Sequence, residues 1–324
     1  MLAHLGTRAL AGAVVVAGVV TLTFLLVRLA PGDPVERLLG PTTTPAQLAA
    51  QRRALGLDRP LAAQYAIWLG RLARGDWGRS IATGRPVRTL LGDAVPPTLA
   101  LVGTSLVLSY LLGLAVGAWQ ASAGPRVDTA LSIATVTLFA LPGYWLGLML
   151  VMAFTYWAQW LPAFGAAGLD ADALTGWSRF ADRLRHFALP LATLTLIGVG
   201  GAARFVRSAM RDVLVQPFVR TAEAKGLSAW QVTRRHVARN ALIPVVTLLG
   251  LSLPALFSGA VFVEAVFAWP GVGRRLVEAV QARDYPVVMA ATVVTAVLVV
   301  AGNFVADLSL AWIDPRMRRR GSTT

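Results

Sequence analysis

The sequence predicts an all-α polytopic membrane protein with six transmembrane helices. Three observations carry that prediction. The 324 residues are 56% hydrophobic and only 14% charged, with a mean hydropathy of +0.62, whereas an ordinary soluble domain carries about 25% charged residues. Six apolar runs approach or exceed the ~20 residues that cross a bilayer. The charged side chains gather at the ends of these runs and in the loops between them.

The first run extends from about Ala9 to Ala30. It is long for a secretory signal, and Pro31 follows at once with no small-x-small cleavage site, so it reads as an uncleaved membrane helix. Arg28 near its end is placed to snorkel to the interface. Residues 1–30 are therefore the cytoplasmic N-terminus and first helix. Residues 31–94 form the long polar segment, which opens on Pro31-Gly32-Asp33-Pro34. It continues through Leu55-Gly56-Leu57-Asp58, Gln64-Tyr65, Gly75-Asp76-Trp77-Gly78-Arg79-Ser80 and Arg85-Pro86-Val87. This pattern reads as helices broken by glycine and proline turns, with Tyr65, Trp68 and Trp77 for a small core or the membrane interface. The segment is expected to be an extracytoplasmic cap over a solute entrance; a structured loop with no part in transport is the plainer alternative.

Residues 95–313 form the core. Five apolar runs lie near Thr98–Trp119, Thr129–Phe154, Ala188–Ala209, Leu242–Phe267 and Val287–Trp312, with a charged loop at about 210–241. An even number of spans puts both termini on one side. Between Arg204 and Arg239 there are eight Lys or Arg, and the 314–324 tail adds Arg316, Arg318, Arg319 and Arg320. The positive-inside rule makes loop and tail cytoplasmic. The Pro31–Pro97 segment holds nine arginines, but segments of that length translocate largely regardless of charge. The net charge of +14 is thus loop anchoring. No basic surface interleaved with aromatics suggests nucleic acid.

Within the spans, Pro142-Gly143, Gly198-Gly200-Gly201, Pro254 and Ser258-Gly259 mark breaks or close helix packing. Asn303 and Asp307 lie four apart on one face of the last span, and an intramembrane carboxylate faces protein or water. Between the last two spans runs Glu264-Ala-Val-Phe267-Ala-Trp269-Pro270-Gly271-Val-Gly273, then Arg283-Asp284-Tyr285-Pro286. Pro270-Gly271 forces a turn, and Trp269 suits a membrane interface. The candidate pathway or gate residues are Pro254, Ser258, Glu264, Asn303 and Asp307.

The most informative stretch is Arg220–Pro244, RTAEAKGLSAWQVTRRHVARNALIP. Pro217 suits the first turn of a helix. Gly226 ends that helix as a left-handed cap. Ser228 and Gln231 read as a capping box opening a second helix. Ala222 and Gly226, four apart, give the first helix a face without bulk, which lets another surface approach. A solvated basic loop between membrane helices is the bland reading.

This stretch resembles the cytoplasmic coupling loop of binding-protein-dependent ABC importer permeases, in their dipeptide/oligopeptide/nickel branch. The matching residues are Arg220, Thr221, Ala222, Ala224, Lys225, Gly226, Leu227, Ser228, His236, Arg239, Asn240, Ala241 and Pro244. The wider family has Glu-Ala-Ala before the glycine; Arg220 and Thr221 replace the first two, as in the peptide/nickel branch. The Pro31-Gly-Asp-Pro, Trp-Pro-Gly and Arg-Asp-Tyr-Pro segments are similar to that branch too. The resemblance implies a type I ABC importer permease fold in the bacterial inner membrane. It also implies a homologous second permease, two ATP-hydrolysing subunits and an extracytoplasmic substrate-binding protein.

No G-x-x-x-x-G-K-[ST] phosphate loop occurs, and the single lysine, Lys225, is followed by glycine. Without that loop the chain is not expected to bind ATP, so ATP and Mg belong to partner subunits and no cofactor to this one. No His-Glu-x-x-His or Gly-x-Ser-x-Gly is present, which removes metalloprotease and lipase chemistry and leaves no catalytic residue. There is no cysteine, and His4, His186 and His236 are far apart, so no metal site is expected. The expectation is a transport subunit for peptides, a nickel chelate or another small solute. A gradient-driven secondary transporter is the alternative, with Asp307 as its main titratable group.

Overall fold

Residues with small side chains, spaced four apart, decide how the central helices meet. The computed structural model describes residues 2–29, 44–54, 58–233 and 256–313, with positions 237, 240, 252 and 254. It is almost wholly helical: α1 Leu2–Leu29, α2 Pro45–Ala54, α3 Leu61–Ala73, α4 Val87–Ser122, α5 Pro125–Ala140 and α6 Gly143–Val151. A π-helical turn, Met152–Trp157, extends α6. There follow α7 Gly176–Leu214, α8 Pro217–Ala224, α9 Ala229–Val232, α10 Leu256–Val266, α11 Val272–Ala282 and α12 Tyr285–Ile313. Among the described residues the only β pairing is an isolated bridge between Arg79 and Pro86.

Ser109, Gly113 and Gly117 of α4 face Gly198, Ala202 and Val206 of α7. A Cβ on Gly113 would lie 2.5 Å from that of Ala202, and one on Gly117 2.5 Å from the Ala203 carbonyl oxygen. This is the small-x-x-x-small device that lets membrane helices approach at backbone distance. Gly200, on another side of α7, does the same for α5, where an added Cβ would lie 2.7 Å from the Thr135 carbonyl oxygen. Helix α7 is thus gripped between α4 and α5, while α1 packs along α12.

Among the described residues, four helices are long and apolar enough to cross a membrane unbroken: α1, α4, α7 and α12. The run expected as one span at Thr129–Phe154 is instead α5 and α6, bent by 104°. Leu141 takes an extended ψ of 133° because the proline after it disfavours helical geometry. Pro142 then caps α6. The run at Leu242–Phe267 ends in α10; its first part lies outside the described residues.

Helix α4 begins at Val87, ahead of the expected boundary at residue 94, and carries Pro96 and Pro97 inside it. Prolines deprive the preceding turn of two hydrogen bonds, but Gly92 and Asp93, whose carbonyls lose them, are exposed. Within the polar segment, Gly75, Gly78 and Gly84 have φ of 78°, 77° and 69°, so the turns fall where glycine allows them. Helix α3 docks on α1 through an aromatic cluster. Phe24 lies 5.2 Å from Tyr65 and 5.6 Å from Trp68 between ring centroids, and Tyr65 and Thr21 share a 2.7 Å hydrogen bond.

Candidate functional site: a surface helix and two polar locks

Helix α8 forms as its sequence directs. Pro217 is at its first position, and the helix ends at Gly226 with φ +82°. The Ser228 N–H donates to Gln231 Oε1 (3.0 Å) and the Gln231 N–H to Ser228 Oγ (3.4 Å), the reciprocal capping box. Val219 and Ala222 are buried against Val206 and Met210 of α7, together with Val232 and Val237. Arg220, Thr221, Ala224, Lys225, Gly226 and Ser228 are exposed, and Leu227 is half-buried.

This corrects one expectation. Ala222, 5% exposed, does not offer a bulk-free face to another protein; its small side chain lets α8 lie close on its own bundle. The outward small residues are Ala224 and Gly226, and a Cβ at Gly226 would meet open space. Asn240 is exposed. His236 and Arg239 lie outside the described residues.

Beside α8, the start of α5 is tied to the end of α7. Asp128 accepts from Arg207 Nε (2.5 Å) and Nη2 (2.7 Å), and from Arg211 Nη2 (2.8 Å). Such a bidentate guanidinium pair fixes orientation as well as distance. The aspartate is also in the first turn of α5, where the helix dipole favours a negative charge.

Two further locks close the other end of the bundle. Glu264, fully buried, is the first. It accepts from Thr98 Oγ1 (2.7 Å), from the Gly273 N–H (2.7 Å) and from the Arg274 N–H (3.3 Å). Thr98 Oγ1 in turn accepts from the Val272 N–H (2.9 Å). The carboxylate thereby caps the first turn of α11 and ties it to α4. Added Cβ atoms at Gly271 and Gly273 would collide with the Glu264 carboxylate. In this structure Glu264 anchors the turn into α11. Trp269, expected at a membrane interface, is 7% exposed. Its indole N–H donates to the Pro97 carbonyl (3.1 Å), and its ring lies 5.3 Å from Phe187.

The second lock brings two distant motifs together. Asp284, 2% exposed, accepts from Ser80 Oγ (2.5 Å), the Ile81 N–H (3.1 Å) and the Ala82 N–H (3.2 Å). Arg283 before it adopts a left-handed φ of 53°, which turns the chain and aims Asp284 at the 80–82 loop. The polar segment is thus pinned to the α11–α12 turn.

The remaining candidates do not converge. Ser258 is exposed on α10 and donates to the Pro254 carbonyl (3.0 Å); Pro254 is half-buried. Asn303 lines an apolar groove between α1, α3 and α12 that Ser258 does not line. Asp307 lies on α12, and its side chain is outside the described set. The roles of Asp128, Thr98 and the motif residue Asp284 were not visible in the sequence because their partners lie far away along the chain. The four-residue spacing of Ser109, Gly113 and Gly117 was a signal that could have been read.

A bundle of long apolar helices, with one apolar pair sharply bent and a capped surface helix at one end, defines a multi-pass membrane protein. Residues 109–319 match the family described as "Binding-protein-dependent transport system inner membrane component", and residues 1–102 match that family's N-terminal region. The chain is 36% identical over 319 residues to the oligopeptide transport system permease protein AppB of Bacillus subtilis (strain 168), covering 98% of this chain and 99% of that one. It is 38% identical over 318 residues to the di/tripeptide transport system permease protein DppB of Pseudomonas aeruginosa (strain UCBPP-PA14), covering 94% and 95%. It is 38% identical over 304 residues to the glutathione transport system permease protein GsiC of Salmonella choleraesuis (strain SC-B67), covering 93% and 94%. Among solved structures, the inward-facing MetNI methionine ABC transporter shares the fold at a TM-score of 0.58 and 18% identity, over 71% of this chain and 98% of that one.

The chain belongs to the binding-protein-dependent transport system inner membrane component family. It is a permease subunit of an ABC importer in the inner membrane, and the gradient-driven alternative is set aside.

Proposed function

We propose that this permease carries peptides, or a small solute of related chemistry, and that the exposed side of α8 receives separate ATP-hydrolysing subunits. The observation that carries this reading is the division of α8 into two faces. Val219 and Ala222 are packed on α7, while Arg220, Thr221, Ala224 and Lys225 are presented outward. A push on the outward face would move α8 together with α7, and with α4 through the glycine contacts. The named activities of the relatives support the solute class.

In this reading the chain has six spans: α1, α4, the bent α5–α6 pair, α7, the run ending in α10, and α12. Both termini and α8 are cytoplasmic, and the 31–86 segment is extracytoplasmic. A homologous second permease completes the pathway, a substrate-binding protein delivers from outside, and ATP with Mg resides in the partner subunits. The bundle then alternates between two arrangements, with the ATPases biasing which one is populated.

The test is Gly226→Asp in the assembled transporter, read by receptor-stimulated ATPase activity and peptide uptake at matched membrane levels. A non-glycine residue at positive φ costs about 1–2 kcal/mol, too little to unfold a bundle, so coupling should fall while insertion persists. Ser228→Ala removes a cap worth ~1 kcal/mol and should be milder. Unchanged uptake in Gly226→Asp removes the coupling role.

A further inference from the structure

A cavity of about 760 Å³ opens between α4, α5, α7 and positions 252 and 256. Ser109 and Tyr110 reach it from α4, Ser132 from α5 and Ser208 from α7. Two arginines of α7, Arg204 and Arg207, also line it, and they differ in one respect. Arg207 is paired with Asp128, which it shares with Arg211. Arg204 has no hydrogen bond or ion pair among the described residues; its guanidinium lies over the Phe139 ring, 5.4 Å from the centroid. That contact leaves the guanidinium N–H donors without an acceptor among the described residues. Residues 234–255, which lead into α10, contain no Asp or Glu, so that neighbouring stretch supplies no carboxylate. Arg204 is exposed where it lines this cavity, so its guanidinium can meet an anion that enters it.

We propose that Arg204 is a carboxylate-binding subsite on the solute path, taking the C-terminal carboxylate of a peptide-like solute. The guanidinium fork matches a carboxylate in bidentate geometry. Ser208, one turn further along α7 and exposed, offers a hydroxyl beside it. Arg204 and Ser208 are both exposed, so solvent screens the pair and an anion is held weakly enough to be released. This rests on the importer reading above. The labelling below reads the cavity whether or not a given peptide is transported, so the two can fail separately.

The test places Ser208→Cys in the naturally cysteine-free chain, in the full assembly in phosphatidylcholine nanodiscs. The rates of labelling by anionic and cationic methanethiosulfonate reagents are compared. A unit charge about one helical turn away should favour the anionic reagent over the cationic one by roughly fivefold. Arg204→Gln should cut that preference at least twofold, leaving the part due to the net positive Arg207–Asp128–Arg211 cluster, and Arg204→Lys should keep it. Trialanine should slow labelling more than trialaninamide does, and Arg204→Gln should erase the difference. A change of the reagent ratio by less than twofold in Arg204→Gln overturns the proposal. So does equal slowing, or none, by the two peptides. Adding phosphatidylglycerol should leave the ratio in place; if it removes it, Arg204 serves a lipid phosphate and the solute subsite is wrong.

Discussion

Asp284→Ala should release the polar segment from the bundle without dissolving either. In the structure its carboxylate accepts three hydrogen bonds, from Ser80 Oγ and from the Ile81 and Ala82 amides. Hydrogen bonds to a charged group contribute about 1.5–3 kcal/mol each, but these three share one loop and are not additive. The freed amides also recover water, because the loop is near the surface. A net loss of about 3 kcal/mol follows, or roughly a hundredfold in the opening equilibrium. The turn itself has other bonds: Ser80 N–H to the Arg85 carbonyl (2.9 Å), Val87 N–H to the Gly78 carbonyl (3.0 Å) and Thr83 to Ser80 Oγ. It should stay formed and merely undock. Hydrogen exchange on the assembled transporter reads this directly. The Ile81 and Ala82 amides should exchange about a hundredfold faster, while those of α4 and α7 keep their protection. Asp284→Asn keeps the shape but loses the charge and one acceptor oxygen, so it should fall near tenfold. Unchanged exchange at Ile81 and Ala82 would refute the lock.

Two further expectations concern the α10–α11 turn and the topology. Gly273→Ala places a Cβ 2.5 Å from Val261 Cα and 2.9 Å from Glu264 Oε2; overpacking of this kind costs about 1–3 kcal/mol, so membrane-level protein and thermal stability should both fall, and a parent-like melting temperature would show that the turn yields freely. Cysteines introduced at Arg74 and Gln281 should react with an impermeant thiol reagent from outside intact cells, and those at Ser228 and Ser322 should not. Gln281 is chosen because it is exposed where neighbouring Ala279 is 5% exposed. Outside labelling at Ser228 inverts the proposed orientation.

The class of this protein was legible along the chain because a bilayer reads hydropathy locally: an apolar run long enough to cross declares itself without reference to any other segment. The same holds for α8. Its start at Pro217, its stop at Gly226 and the Ser228–Gln231 box are each decided within a few residues by backbone geometry and capping, so the residues alone sufficed. The aromatic pairing of Tyr65 and Trp68 was half legible; their apolar surface was plain, but their partner Phe24 lies on another helix.

The tertiary structure decided what the residues do once several helices meet. Glu264 looked like a charge in a pathway because sequence shows a carboxylate beside an apolar run. Only the fold brings Thr98 and the two amides of α11 within hydrogen-bonding distance of it. Ala222 looked like an open face because periodicity gives the side of a helix but not which side is covered. The bend at Pro142 split an apolar run that was long enough to pass for one span. Asp128 carries no local signature, and the Arg-Asp-Tyr-Pro motif marks Asp284 without showing its role: each acts through guanidinium, hydroxyl or amide donors tens to hundreds of residues away. Hydropathy and helix caps are properties of neighbours in sequence, whereas the satisfaction of a buried carboxylate is a property of neighbours in space.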